Sequence, residues 1–292
     1  VLSLICAISC GLTNTVVGWS FKGAQNAHCP TERFGGYGSG IALLAALGML
    51  PFFSGPCLTG GVWLIGSGLG VLFCATTALN VLANRMGPPS MAWSMANMGL
   101  LVPIILSWRL GESFRWSDGV MLLVFGMMLL GFQRGMAQAD DRIRTSRGRY
   151  ILLLAAVFLV NGLLMFGFKW NGMRYPDANP ASLLTAMYGS AWVCFMLWTT
   201  VRHGVKTSAP ANSTLWPTLK WGVVLGSAIS LTQILMQAAM SLPAVVAFPL
   251  IQGLSLMGGV LLMAWVYRET LNGAKIVGLM AGLAVMILSV LR

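Results

Sequence analysis

Of 292 residues, 57% are hydrophobic and 9% charged, with 18 Lys+Arg against 7 Asp+Glu. A surface that faces water takes about 25% charged residues, so this composition excludes an ordinary soluble enzyme, a disordered chain and a nucleic-acid-binding domain. The mean hydropathy of +0.79 agrees, and the net charge of +11 reads first as a distribution of flanking charges across a membrane.

A helix needs about 20 mostly apolar residues to cross a hydrocarbon core of roughly 30 Å. The first such segment is 1–22. It opens on Val without a basic leader, so it reads as a retained span with the native start expected upstream, and not as a signal peptide. No charge occurs between Arg33 and Arg85, and Pro51, Gly55, Pro56, Gly60 and Gly61 divide that stretch into spans at 37–53 and 61–84. Spans at 88–109 and 116–133 follow, then the longest polar stretch, MAQADDRIRTSRGR at 136–149. Spans at 150–170 and 180–201 come next. The uncharged run from Lys220 to Arg268 breaks at Ser241-Leu242-Pro243 into 216–240 and 243–266, and 273–291 closes the chain. The expectation is an all-α integral membrane protein of ten helices, with 1–135 and 150–292 as two halves around a basic loop at 136–149.

The halves can be laid on each other. Asn14, Phe21 and Lys22 recur as Asn161, Phe168 and Lys169, and Tyr37-Gly38-Ser39 recurs as Tyr188-Gly189-Ser190. Asn80 and Asn84 recur as Gln233 and Gln237, Pro88 and Asn97 as Pro243 and Gln252, and Glu112 as Glu269. The offset rises in one direction from 147 to 157, as small loop insertions produce. Five helices per repeat is odd, so the second copy enters the membrane from the opposite side. That inverted repeat is the architecture of many secondary transporters, in which two pseudo-symmetric halves exchange conformations around a central site.

With ten helices as five plus five and the segments LSWRLGESFRWSDGVMLLVFGMMLLG and LMAWVYRETLNGAKIVGLMAGLAVMIL, the chain resembles the drug/metabolite transporter superfamily. The EamA-type repeats of that superfamily end in a similar Gly-Glu-containing turn before a Gly-spaced last helix. Here that pair stands as Gly111-Glu112 in the first half and departs to Arg268-Glu269 in the second. GLTNTVVGWSFK and its mirror VNGLLMFGFK are similar to the family's first helix, which often closes on a basic residue. The resemblance covers essentially the whole chain and implies a fold and transport by alternating access, not a substrate.

All seven acids, Glu32, Glu112, Asp118, Asp140, Asp141, Asp177 and Glu269, fall in predicted loops or helix ends. A charge at the bilayer centre costs roughly 2.5–3.5 kcal/mol on insertion scales, and none is placed there. A midplane carboxylate relay and a site for cationic drugs are therefore not expected. Polarity at depth comes from carboxamides, which offer donors and acceptors without charge. The candidate substrate-binding set is Asn14, Asn80, Asn84, Asn97, Asn161, Gln233, Gln237 and Gln252, with Trp93 and Tyr188 as aromatic candidates for stacking on a ring. Interhelical hydrogen bonding is the competing role for each amide. Lys22 and Lys169 close two symmetric helices, where they either snorkel to the interface or line vestibules that attract anions. Glu112 and Glu269 are expected to cap or pair near helix ends. The six cysteines are scattered without a Cys-x-x-Cys, and no nucleotide-binding motif, metal set or catalytic grouping appears, so neither a cofactor nor enzymatic activity is expected.

Assigning loops to alternating sides leaves Arg109, Arg115, Lys169, Arg174 and Arg292 on one side and the remaining 13 of 18 basic residues on the other. The positive-inside rule then places loop 136–149 in the cytoplasm and both termini outside, with a bacterial inner (plasma) membrane as the expected location. The function expected is secondary transport of a small polar metabolite of sugar, nucleoside or amino-acid type. The alternatives are an organic-anion or phosphorylated-metabolite carrier using Lys22 and Lys169, or a non-transporting membrane receptor or scaffold. The partners are a small-molecule substrate and membrane lipid, with no nucleic acid; a coupling ion and a homodimer are left open.

Overall fold

Prolines mark the starts of several helices. The computed structural model describes residues 2–57, 59–86, 89–113, 115–137, 147–205, 215–267 and 271–291. They form α1 (Leu2–Asn26), α2 (Thr31–Met49, closing in a 3-10 turn Leu50–Phe52), α3 (Gly60–Met86), α4 (Pro89–Met98), α5 (Leu101–Arg109) and α6 (Trp116–Ala137). The chain continues as α7 (Arg147–Arg174), α8 (Pro180–Val205), α9 (Leu215–Ala239), α10 (Ala244–Tyr267) and α11 (Gly273–Leu291). No strand occurs among the described residues.

Pro30, extended at φ −63°, ψ 126°, precedes α2, and Pro89 and Pro180 open α4 and α8, where a missing N–H breaks no helical bond. The end of α1 is a Schellman turn. His28 sits at φ 52°, its N–H donates to the Gln25 carbonyl (3.0 Å), and the Cys29 N–H donates to the Ala24 carbonyl (2.9 Å).

The span expected at 88–109 is not one continuous helix. Residue 103 is proline, so the Gly99 carbonyl lacks its i+4 donor. The Ala96 carbonyl, which would serve Leu100, instead accepts from Asn161 Nδ2 of α7 at 2.6 Å, and Leu100 N turns to the Asn97 carbonyl at 3.2 Å. α4 therefore ends at Met98 and α5 starts at Leu101. The earlier start of α2, at Thr31 rather than 37, follows from Pro30 acting as its N-cap.

Among the described residues, seven helical segments are long and apolar enough to cross a membrane, within α1, α2, α3, α7, α8, α9 and α10. Three shorter apolar segments, Met95–Arg109, Trp116–Gly131 and Gly273–Leu288, accompany them. Leucines such as Leu2, Leu44, Leu64, Leu123 and Leu152 are exposed on the outside of the bundle, the arrangement of a chain whose solvent is hydrocarbon. The protein is thus an all-α, membrane-embedded bundle. Trp108, Trp116, Trp216 and Trp265 are exposed near helix ends, as an interfacial aromatic belt requires.

Small residues bring the central helices close. A Cβ on Gly70 would collide with Ser190 and the Met187 carbonyl of α8, and one on Gly11 with Leu254 and the Ile251 carbonyl of α10. α1 packs on α9 and α10, α3 on α7 and α8, α2 on α8 and α9, α7 on α4 and α5, and α6 on α11. Helix directions follow from three contacts. Ser3, at the start of α1, shares a 2.7 Å hydrogen bond with Ser241, just past the end of α9. Lys169, in the last turns of α7, donates to the carbonyls of Met240 and Leu242 at that same place. The start of α1 and the end of α7 therefore meet one end of the bundle, and these two helices are antiparallel.

Candidate functional site

Three helices from each half surround a cavity of about 130 Å³. Six carboxamides contribute to its polar lining: Asn14 on α1, Asn80 on α3, Asn97 on α4, Asn161 on α7, Gln233 on α9 and Gln252 on α10. Each is one member of a pair that recurs in the sequence, Asn14 with Asn161, Asn80 with Gln233 and Asn97 with Gln252. Around them stand an apolar wall including Val17, Leu164, Met165, Met236 and Ile251, and the rings of Phe21, Phe73 and Phe168. No Lys, Arg, Asp, Glu or His lines it among the described residues.

The amides differ in what already holds them. Asn161 Nδ2 is committed to the Ala96 carbonyl, and Asn80 Nδ2 donates to the Thr76 carbonyl on its own helix at 3.0 Å. Gln252, 7% exposed, reaches only the sulfur of Met165, with Nε2 at 3.8 Å, a weak acceptor. Asn97 is 3% exposed. Among the described residues, the buried Oε1 of Gln233 has no hydrogen-bond partner, and neither has the buried hydroxyl of Thr76.

Phe21 and Phe168 each lie seven residues beyond their amide, about 10 Å along the helix axis at 1.5 Å per residue. Because α1 and α7 are antiparallel, the two rings stand toward opposite ends of the amide layer.

Two of the residues expected at the site, Tyr188 and Gln237, are not among the described residues that line this cavity. Tyr188 is fully buried in the helix packing, its hydroxyl donating to the Ile229 carbonyl at 3.2 Å. Gln237 Nε2 donates to the Pro180 carbonyl at 3.0 Å, a helix-to-helix tie one turn beyond the amide layer. The side chains of Asn84 and Trp93 lie outside those described, as do Pro88, Arg268, Glu269 and most of loop 136–149. The lining residues that sequence reasoning did not single out are chiefly Cys10, Thr76, Thr77 and Thr232. Thr77 and Thr232 donate to carbonyls of their own helices, Phe73 at 3.0 Å and Ala228 at 2.8 Å, the usual helical habit of threonine.

The lysines, expected either to snorkel to the interface or to line vestibules, are not among the lining residues of the cavity, and Lys169 pairs with an acid. It is 3% exposed and its Nζ lies 2.6 Å from Glu112 Oε1, while donating to the carbonyls of Met240 (3.0 Å) and Leu242 (2.8 Å). Glu112 Oε2 in turn accepts from the Ala244 N–H at 2.8 Å, capping α10. The pair thus clamps the α9–α10 turn onto α7. Glu112, expected beside its own following helix, instead serves a helix from the other half.

What aims Glu112 there is the turn before it. Gly111, at φ 101°, closes a Schellman turn on α5, with Gly111 N bound to the Trp108 carbonyl and Glu112 N to the Ser107 carbonyl, both at 3.1 Å. Gly111→Ala forces an L residue into the left-handed region and should cost about 1–2 kcal/mol, read as a lower thermal midpoint in detergent. The same change at Gly60, which meets no neighbouring atom within 4 Å, serves as the control. At the opposite end of the bundle Arg202 of α8 pairs with the buried Glu32 of α2 at 2.7 Å. All six cysteines are free, and no metal-binding cluster occurs among the described residues.

No known family's sequence profile matches the chain, and no curated protein matches it. Among solved structures, one described only as "Crystal structure of protein" is similar over 99% of this chain and 96% of its own, with a TM-score of 0.69 at 15% identity. At that identity the likeness concerns the fold alone.

Proposed function

We propose that this protein is a secondary transporter of a small polar metabolite, of the drug/metabolite transporter type, working by alternating access. The observation that carries the reading is the cavity itself: three amide pairs that recur between the two halves of the sequence line one space between them. Packing alone does not require mirrored positions to converge on a single cavity, whereas a substrate site shared by two exchanging halves does.

On this reading α4 and α5 together form one broken span, giving ten spans as two inverted five-helix repeats, 1–135 and 150–292. Two features support it. Exchanging α1 with α7, α2 with α8, α3 with α9, α4–α5 with α10 and α6 with α11 maps the principal helix contacts onto one another: α1·α9 onto α7·α3, α1·α10 onto α7·α4–α5, and α2·α9 onto α8·α3. The opposed directions of α1 and α7 supply the inversion. A helix broken at membrane depth beside the cavity is also the device by which many transporters free backbone groups for a substrate. The basic loop at 136–149 then faces the cytoplasm of a bacterial inner membrane, and both termini lie outside.

The test is counterflow in proteoliposomes with purified protein, screening radiolabelled hexoses, nucleobases, nucleosides and amino acids. Accumulation of at least one solute above protein-free vesicles is expected. A protein that binds one of these solutes yet exchanges none of them would be a receptor, and the transport reading would fall.

A further inference from the structure

The proposed transport function leaves open which of three solute classes the cavity takes. We infer that it selects an uncharged heterocycle of nucleobase type, with Thr76 and Gln233 as specificity-determining residues. The inference rests on the transport reading only for the site's purpose; its chemistry comes from the lining.

A charged or zwitterionic solute brings a carboxylate or ammonium that must be paired once it leaves water. The cavity lining offers amides, hydroxyls, a thiol and apolar groups, and no ionised side chain among the described residues. An amino acid would bury two charges there without a counter-charge. A hexose presents hydroxyls around its whole rim, yet about half of the lining is apolar, including three phenyl rings. A nucleobase has the matching distribution, with hydrogen-bonding edges and two apolar faces suited to aromatic contact. At about 130 Å³ the space is also well below the roughly 300–1,000 Å³ of drug-sized pockets.

The unsatisfied atoms sharpen the match. Gln233 Oε1 is a buried acceptor without a donor among the described residues. Gln252 Nε2 is a buried donor whose described acceptor is a thioether at 3.8 Å. Buried polar atoms are rarely left unpaired without a reason. The neighbouring N–H and C=O of a lactam, as in uracil, supply the two complements side by side. Thr76 completes the set. It is 8% exposed and lines the cavity, and its hydroxyl does not turn back to its own helix as those of Thr77, Thr185 and Thr232 do.

The experiment is equilibrium binding to the purified full chain, with uracil, adenine, orotate (uracil bearing a carboxylate), glucose and phenylalanine as probes. Uracil or adenine is expected to bind, with orotate at least ten-fold weaker than uracil and glucose and phenylalanine weaker still. Thr76→Val, which preserves shape and removes the unpartnered hydroxyl, should weaken uracil binding roughly 3- to 10-fold while leaving the ligand-free melting temperature unchanged or higher. A merely structural threonine would lower the melting temperature and leave affinity alone. Gln233→Glu should favour the carboxyl-free probes further and abolish residual orotate binding. The inference is overturned if neither uracil nor adenine binds, if orotate binds as well as uracil, or if Thr76→Val leaves affinity intact. Counterflow separates the two levels: exchange of phenylalanine or glucose alone keeps the transporter and removes the nucleobase, whereas uracil binding without exchange does the reverse.

Discussion

Gln252→Ala is expected to raise the substrate concentration for half-maximal uptake by about 5- to 150-fold, with folded yield unchanged. The reasoning is one of unequal commitments. Gln252 is nearly fully buried, yet its only described hydrogen bond is to a thioether. Its removal therefore takes little from the resting protein and much from a bound substrate. A polar group of the substrate then enters the cavity with no partner, at a cost of about 1–3 kcal/mol, which converts to the range given. Asn97→Ala, on the mirrored helix, should reduce uptake as severely. It opens a void beside the break between α4 and α5, so its melting temperature is expected to fall by a few degrees as well. Unaltered uptake in both variants would remove this cavity as the substrate site. A loss in both that merely tracked folded yield would make the amides packing elements, as polar residues between membrane helices often are.

The extent to which these residues were legible in the sequence depends on where their partners lie. The starts of α2, α4 and α8 follow local prolines, and the composition leaves no alternative to a membrane bundle. The amides stood out because they are polar where little else is, and their recurrence across the halves pointed to shared positions. The sequence could not say which way each one faces. Membrane helices are apolar on their lipid side and in their packing, so hydrophobic periodicity carries little directional information. Gln237 and Gln233 sit four residues apart on one face, yet one ties α9 to Pro180 while the other lines the cavity. Thr76 was passed over for a related reason: a helical threonine usually satisfies itself, and only the fold reveals that this one does not. The break at Gly99–Leu100 had a local sign in Pro103, but the hydrogen bond from Asn161 that completes it comes from another helix, 65 residues away in the chain.

Lys169 is where the sequence pattern misdirects most, and where the largest effect on stability is expected. Its symmetry with Lys22 suggests two equivalent vestibule cations, but the Gly111 turn delivers Glu112 to it, and the two clamp the α9–α10 turn. Lys169→Met should lower stability by about 3–5 kcal/mol, because removing one member of a buried pair leaves an uncompensated charge. It also strips the donors from the carbonyls of Met240 and Leu242, which close α9. Glu112→Gln should cost a comparable amount, because it leaves the more deeply buried Lys169 charge without its carboxylate, although the amide oxygen can still cap Ala244 and the lysine keeps its two carbonyls. The double variant Lys169→Met with Glu112→Gln should recover much of the loss of Lys169→Met, because no unpaired charge remains. Thermal unfolding in detergent reads all three, and additive losses in the double variant would show that the pair is not coupled. Uptake per folded molecule then separates two roles for the lysine. A clamp predicts that the double variant transports nearly as the wild type does, whereas an anion-recruiting lysine predicts that activity stays lost even where stability returns.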